Sequence, residues 1–122
     1  METPKPGTFC WNECIVPDTN RAAGFYGSLF GWQTEAMPGG GDYTLFKQGP
    51  GMVGGLMAPP EPGIPPHWLC YVCVEDCEAA VQRAVQLGGA VVAPPMVISV
   101  GTIAIIRDPQ GAVLGLYTPA GP

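Results

Sequence analysis

Residues 8–16 (Thr-Phe-Cys-Trp-Asn-Glu-Cys-Ile-Val) are rich in β-forming side chains and predict a strand. Phe9, Trp11, Glu13 and Ile15 line one face of it, and Cys10, Asn12, Cys14 and Val16 the other. Asp18 or Thr19 then caps a helix that runs to about Phe30 and is stopped by Gly31. Ala22, Phe25, Tyr26, Leu29 and Phe30 recur at helical spacing and are expected to form its core stripe. Strands follow at Trp32 to Met37, Tyr43 to Gln48 and Met52 to Ala58. They are separated by a Gly39-Gly40-Gly41-Asp42 turn and a Gly49-Pro50-Gly51 turn. The order is βαβββ.

Residues 59–66 hold five prolines and predict a stiff, extended connector. The second half then repeats the first. His67 to Val74 is a strand, and Asp76 to Leu87 a helix ended by Gly88-Gly89. Ala90 to Val92 begins a strand that Pro94-Pro95 is expected to break. Thr102 to Arg107, an Asp108-Pro109-Gln110-Gly111 turn and a strand from Ala112 to Tyr117 complete the half. Sliding the chain by 58 positions superimposes Asp18 on Asp76, Ala22 on Ala80, Leu29 on Leu87 and Gly31 on Gly89. A self-match of this span predicts two related units, about 8–58 and 67–118, within one domain covering residues 1–122. The fold class is α+β.

Charged residues make up only 12% of the chain, so an apolar surface or interface is expected. A net charge of −5 with five Lys and Arg argues against nucleic acid and against anionic membrane surfaces as partners. Apolar runs are too short to span a bilayer, and Met1 to Thr8 carries no signal-peptide core, which makes the cytoplasm the expected location. The five cysteines are an odd number and read as free thiols. Cys70 and Cys73 point to opposite faces of a strand, whereas Cys10 and Cys14 share a face roughly 13 Å apart. Neither pair can chelate one metal, so the cysteines are expected to act as small hydrophobes. Gly49-Pro-Gly51-Met-Val-Gly54 matches a dinucleotide-binding pattern in form but leads into no helix, so it reads as a turn.

Several stretches carry a resemblance. They are Trp11 to Trp32, with Phe25-Tyr26-Gly-Ser-Leu-Phe-Gly-Trp32 at its end, Leu87-Gly88-Gly89, and Asp108-Pro109-Gln110-Gly111-Ala112. With them the sequence resembles the vicinal oxygen chelate superfamily over residues 8–118. The superfamily comprises the glyoxalase, bleomycin-resistance and extradiol dioxygenase proteins, and the likeness is greatest to a bacterial glyoxalase-like subgroup. The resemblance implies two βαβββ units whose strands curl into a half-barrel around a cavity. It also implies a divalent metal held by His, Glu or Gln from the first and last strands of each unit. Those positions here are Trp11 and Leu69, then Gly115, and in the first unit Gly54, Gly55, Leu56 and Met57. None suits a hard or borderline metal, so no metal or other cofactor is expected.

With Trp11 and Leu69 facing the cavity, parity places Glu13, Ile15, His67, Tyr71 and Cys73 there too, joined by Tyr117 and Val113. Trp11, Leu69, Tyr71, Cys73 and Tyr117 are the candidate ligand-binding residues, and their rings suit a planar or cationic molecule. Glu13, a carboxylate among apolar neighbours, is the candidate general base, with His67 as its acid–base partner. The plainer readings are a hydrogen-bonded carboxylate at the pocket rim and an exposed histidine at a strand entry.

The favoured reading is a metal-free protein that binds a small hydrophobic or aromatic molecule and sequesters it, as bleomycin-resistance members do. The alternative is a glyoxalase-like lyase or isomerase, or a dioxygenase, working through Glu13 and His67 with or without a divalent metal. A third is a subunit whose pocket is filled by Trp11, Tyr71 and Tyr117. A homodimer is the expected partner for the apolar surface, either side by side or with exchanged units.

Overall fold

Asp18 opens the first helix as the sequence predicts: its carboxylate accepts the Arg21 backbone N–H at 3.0 Å, and Gly31 closes the helix at φ 80°. The computed structural model describes residues 4–39 and 41–121. Residues 1–3 of the polar N-terminus and Gly40 of the expected turn lie outside the described residues.

Ten elements follow in chain order. They are β1 (Phe9–Ile15), α1 (Thr19–Phe30), β2 (Gln33–Ala36), β3 (Thr44–Gln48), β4 (Gly51–Met57), β5 (His67–Cys73), α2 (Cys77–Gln86), β6 (Ala90–Ile98), β7 (Gly101–Arg107) and β8 (Val113–Pro119). The order is βαβββ twice, and the class is α+β. No helix among the described residues is long and apolar enough to cross a membrane.

The chain forms two compact units, one of Trp11–Leu69 and the other of the described residues up to Cys10 together with those from Cys70 onward. The division falls within β1 and within β5. In the Trp11–Leu69 unit the strand order is β2-β3-β4-β1, with β1 and β4 parallel and Glu13 opposite Gly55. Cys14, Phe46 and Leu56 form its fully buried core, against which Ala22, Ala23 and Tyr26 of α1 pack. The helical stripe therefore differs from the expected one. Ala22 and Tyr26 face inward, but Phe25, Leu29 and Phe30 are 60%, 59% and 51% exposed. The two alanines let α1 settle close to the sheet, so only Tyr26 among its large side chains reaches the core.

In the other unit the order is β5-β8-β7-β6, with β5 and β8 parallel. Cys77, Val81, Ala104 and Leu116 make its core. Asp76 caps α2 through the Ala79 N–H, while Glu78 in the first turn and Arg83 in the last match the helix dipole. The Asp108 turn closes as its sequence predicts: Asp108 Oδ1 accepts from the Gln110 and Ala112 backbone N–H groups, and Gly111 takes φ 95°. The expected break at Pro94-Pro95 does not occur. β6 continues to Ile98, and register shifts between Val91 and Ala93 and between Ala93 and Met96 take up the prolines. Within this unit β6 stands at the end of the strand order, where a missing N–H costs no ladder bond.

Candidate functional site

In the Trp11–Leu69 unit, Glu13 is the one buried charged residue among those described, 6% exposed at the middle of β1. Burying a carboxylate is costly unless it is bonded. One group near it is Tyr43, the residue before β3, whose phenol the Glu13 charge acts on. Trp11, two residues before Glu13 on the same face, donates its indole Nε1–H to Tyr43 Oη at 2.8 Å. The result is a cluster in which the indole N–H is bonded to the phenol oxygen and the carboxylate lies near that phenol.

Space for Tyr43 comes from β4. A Cβ built on Gly55 would collide with the Tyr43 hydroxyl and ring. At Gly54 it would lie 2.6 Å from the Asn12 carbonyl oxygen, so this glycine lets β4 approach β1 closely. Tyr43 has its pKa raised well above the ordinary tyrosine range, first by burial and then by the charge of Glu13, with the Trp11 bond opposing. The phenol therefore keeps its proton across the neutral range. Trp11 and Tyr43 are half-buried, whereas Glu13 is buried. The arrangement combines two partly accessible aromatic side chains with a buried carboxylate.

Leu69, of the same unit, is buried at 3%. His67 is half-buried at the strand entry, with Nδ1 2.8 Å from the Pro65 carbonyl. A carbonyl only accepts, so Nδ1 carries the proton of that bond. This local bond fits the plainer reading of His67.

The remaining predicted residues lie in the other unit. Tyr71 is 4% exposed, and its ring lies against Gly115, its register partner on β8. Tyr117 donates its hydroxyl to the Val100 carbonyl at 2.8 Å. Cys73 is buried, with its Sγ 3.6 Å from the Pro4 carbonyl oxygen, and it pairs with Cys10. Burial and the neighbouring Cys73 push the Cys10 thiol up to about 11. Burial and then Cys77 raise Cys73; burial and then Cys10 raise Tyr117. Cys14, Cys73 and Cys77 behave as the small hydrophobes expected, whereas Cys70 is exposed.

Two open concavities, of about 450 Å³ along Pro17 and the proline-rich connector and about 320 Å³ beside the N-terminus of α2, are lined by none of the predicted binding residues. The positions at which the family likeness implies metal ligands do not fit a divalent ion. Trp11, Leu69, Gly54, Gly55 and Gly115 have no suitable donor, and among the described residues no three His, Cys, Asp or Glu side chains form a metal-ligating group.

Sequence reasoning missed Tyr43. Its signal was the Gly54-Gly55 pair inside β4: two side-chain-less positions in a strand imply that something else approaches there.

Comparisons with known proteins agree with the topology. Residues 11–116 match the model of the Glyoxalase/Bleomycin resistance protein/Dioxygenase superfamily. A Mycobacterium bovis protein named "Putative glyoxylase CFP32" is 40% identical over 117 residues, covering 93% of this chain and 45% of that protein. "Anthracycline biosynthesis protein DauV" from Streptomyces sp. is 31% identical over 125 residues, covering 90% of this chain and 41% of its own length. The chain thus spans under half the length of these curated relatives. Among solved structures, methylmalonyl-CoA epimerase from Mycobacterium tuberculosis superposes with a TM-score of 0.65 at 18% identity, over 99% of this chain and 93% of that one. At that identity the likeness concerns the fold alone.

Proposed function

The chain belongs to the glyoxalase/bleomycin resistance protein/dioxygenase superfamily, and from that premise we propose that it binds a small, planar, hydrophobic molecule on the Trp11–Tyr43 surface, without a metal ion. One observation carries this reading. Two half-buried aromatic rings are joined by a hydrogen bond close to a buried carboxylate. Rings fixed in this way lose little freedom when a flat ligand stacks on them, so more of the stacking energy appears as affinity. Glu13 close by biases the surface toward an electron-poor or cationic ligand. Fused-ring aromatics are one class that fits, and some relatives are named for anthracycline biosynthesis. Sequestration of such a compound is the role that follows.

The enzymatic alternative draws on the relative named as a glyoxylase. It needs Glu13 to exchange protons with a substrate, yet Glu13 is only 6% exposed. His67 is bonded to its own strand entry. These placements favour binding over acid–base turnover.

The test is calorimetry of the purified chain against a panel of planar aromatics, including proflavine and naphthalene, with Trp11→Ala alongside. Binding by at least one compound, weakened about tenfold or more in the variant (about 1.4 kcal/mol), is the expected result. A panel without binders, or equal affinity in Trp11→Ala, overturns the proposal. Nickel, zinc, iron(II) and manganese should leave the melting temperature unchanged.

A further inference from the structure

We propose that the outer face of α1 is the surface through which this chain binds a second copy of itself. The face comprises Gly24, Phe25, Ser28 and Leu29, and extends through Phe30 to Trp68 of β5. It makes no use of the Trp11–Tyr43 surface, so it stands or falls apart from the binding reading.

Three observations converge, and the first is apolar area. Phe25, Leu29 and Phe30 are each more than half exposed, and Trp68 is 40% exposed. Tyr26 joins the rings into one patch: its centroid lies 5.1 Å from that of Phe25, 6.2 Å from Phe30 and 5.4 Å from Trp68. The Trp68 indole N–H donates to Tyr26 Oη, which ties the patch together across α1 and β5. At roughly 200 Å² for each aromatic side chain, the exposed parts of Phe25, Phe30 and Trp68 amount to about 300 Å² before Leu29 is counted. One side of a standard homodimer contact buries about 800 Å², of which about 65% is apolar. This face therefore supplies most of the apolar area that such a contact needs.

The second observation is Gly24. A glycine inside a helix destabilises it relative to alanine, so its presence calls for a reason. Gly27 has one within the chain, since a Cβ there would lie 3.1 Å from the Trp32 carbonyl oxygen. Gly24 has none: a Cβ built on it meets nothing within 4 Å. With Ser28 one turn on, it leaves a strip of short side chains beside Phe25 and Leu29, where a second helix can come close. The third observation is charge. Each copy carries −5, so two copies repel wherever their acidic residues meet. Between Thr19 and Phe30 there is no acidic residue and one basic one, Arg21, so two copies can approach here with little repulsion. A lipid surface would instead call for several lysines or arginines beside the apolar stripe. Pairing the same residues on both copies closes the assembly as a twofold dimer.

The test is sedimentation equilibrium of the full chain. At about 50 µM the wild-type protein should sediment at twice the 12.7 kDa of one chain. Leu29→Glu sets a carboxylate from each copy into the contact and should weaken association about tenfold or more. Val97→Glu, on an exposed apolar stretch of β6 in the other unit, should leave association unchanged. Gly24→Ala gives the sharpest contrast. It should raise the melting temperature of the diluted, monomeric chain and yet weaken the dimer about tenfold. A glycine that merely faces solvent would give the first effect without the second. Wild-type protein that stays monomeric at this concentration overturns the proposal. So does a dimer undiminished in Leu29→Glu or in Gly24→Ala, or one that Val97→Glu weakens as much. Should Leu29→Glu fail to fold, Gly24→Ala decides alone.

Discussion

Gly115 of β8 lies opposite Tyr71 of β5 in parallel register, and the tyrosine ring occupies the space a side chain at Gly115 would need. A Cβ built there would lie 2.5–2.8 Å from three ring carbons. Gly115→Ala should therefore cost about 1–3 kcal/mol by overpacking. In a Tyr71→Ala background the same change should cost much less, since the two share one volume. Urea midpoints of the four proteins measure the coupling. Strict additivity would show that Tyr71 moves aside without cost.

Phe46 is fully buried and meets the rings of Tyr26, Trp32 and Trp68. Phe46→Ala should cost about 3–5 kcal/mol. Trp68, 40% exposed, gives Tyr26 a hydrogen bond at 3.1 Å, so Trp68→Phe should cost only about 0.5–1.5 kcal/mol. Denaturant unfolding separates them; equal losses would mean that the core does not centre on Phe46.

Thiol chemistry should divide the five cysteines. Cys70 is exposed, whereas Cys14, Cys73 and Cys77 are buried and Cys10 partly so. At pH 8 an aromatic disulfide reagent should modify one thiol rapidly and the others slowly. Mass mapping should find the label on Cys70. Rapid labelling of Cys73 would contradict its placement.

Alkaline stability has a defined sign. The fold raises Cys10 from an ordinary 9.0 to about 11, so it favours the neutral thiol. That contribution is complete below pH 9 and is lost as pH rises toward 11. Cys73, Tyr117 and Tyr43 are raised in the same direction. Cys10→Ser should shallow the fall in melting temperature across this window. An unchanged slope would assign the loss to the other groups.

Asp18 and Asp76 each cap a helix by accepting a backbone N–H three residues on. Replacement of either by Ala should lower stability by about 1 kcal/mol, and by Asn, which caps about as well as Asp, much less. Thermal unfolding of the single variants checks this, and an Asn loss equal to the Ala loss would indicate a role for charge.

Local signals were legible in the sequence because they act within a few residues. Asp18, Asp76, Gly31 and the Asp108 turn behave as their chemistry dictates. The repeat and the element order followed from them. What remained hidden depends on partners from other segments. Pro94 and Pro95 read as a break, but the position of β6 at the end of its strand order decides that they are tolerated. The spacing of Phe25, Leu29 and Phe30 gave a helix, not the face it would bury. Strand parity placed Trp11 and Glu13 together but was silent on Tyr43, which precedes its strand and enters the site because Gly55 leaves room.

The unit that ends the chain also begins it. Gly7 donates to the Cys73 carbonyl, and Cys73 donates to that of Thr8, so the N-terminal residues find their partners some 65 positions downstream. During synthesis Trp11–Leu69 is complete as a continuous segment while residues 4–10 still wait for β5 to emerge. Residues 4–10 are therefore paired only after β5 has been made, and a nascent chain stalled before Cys73 would expose that stretch to proteases.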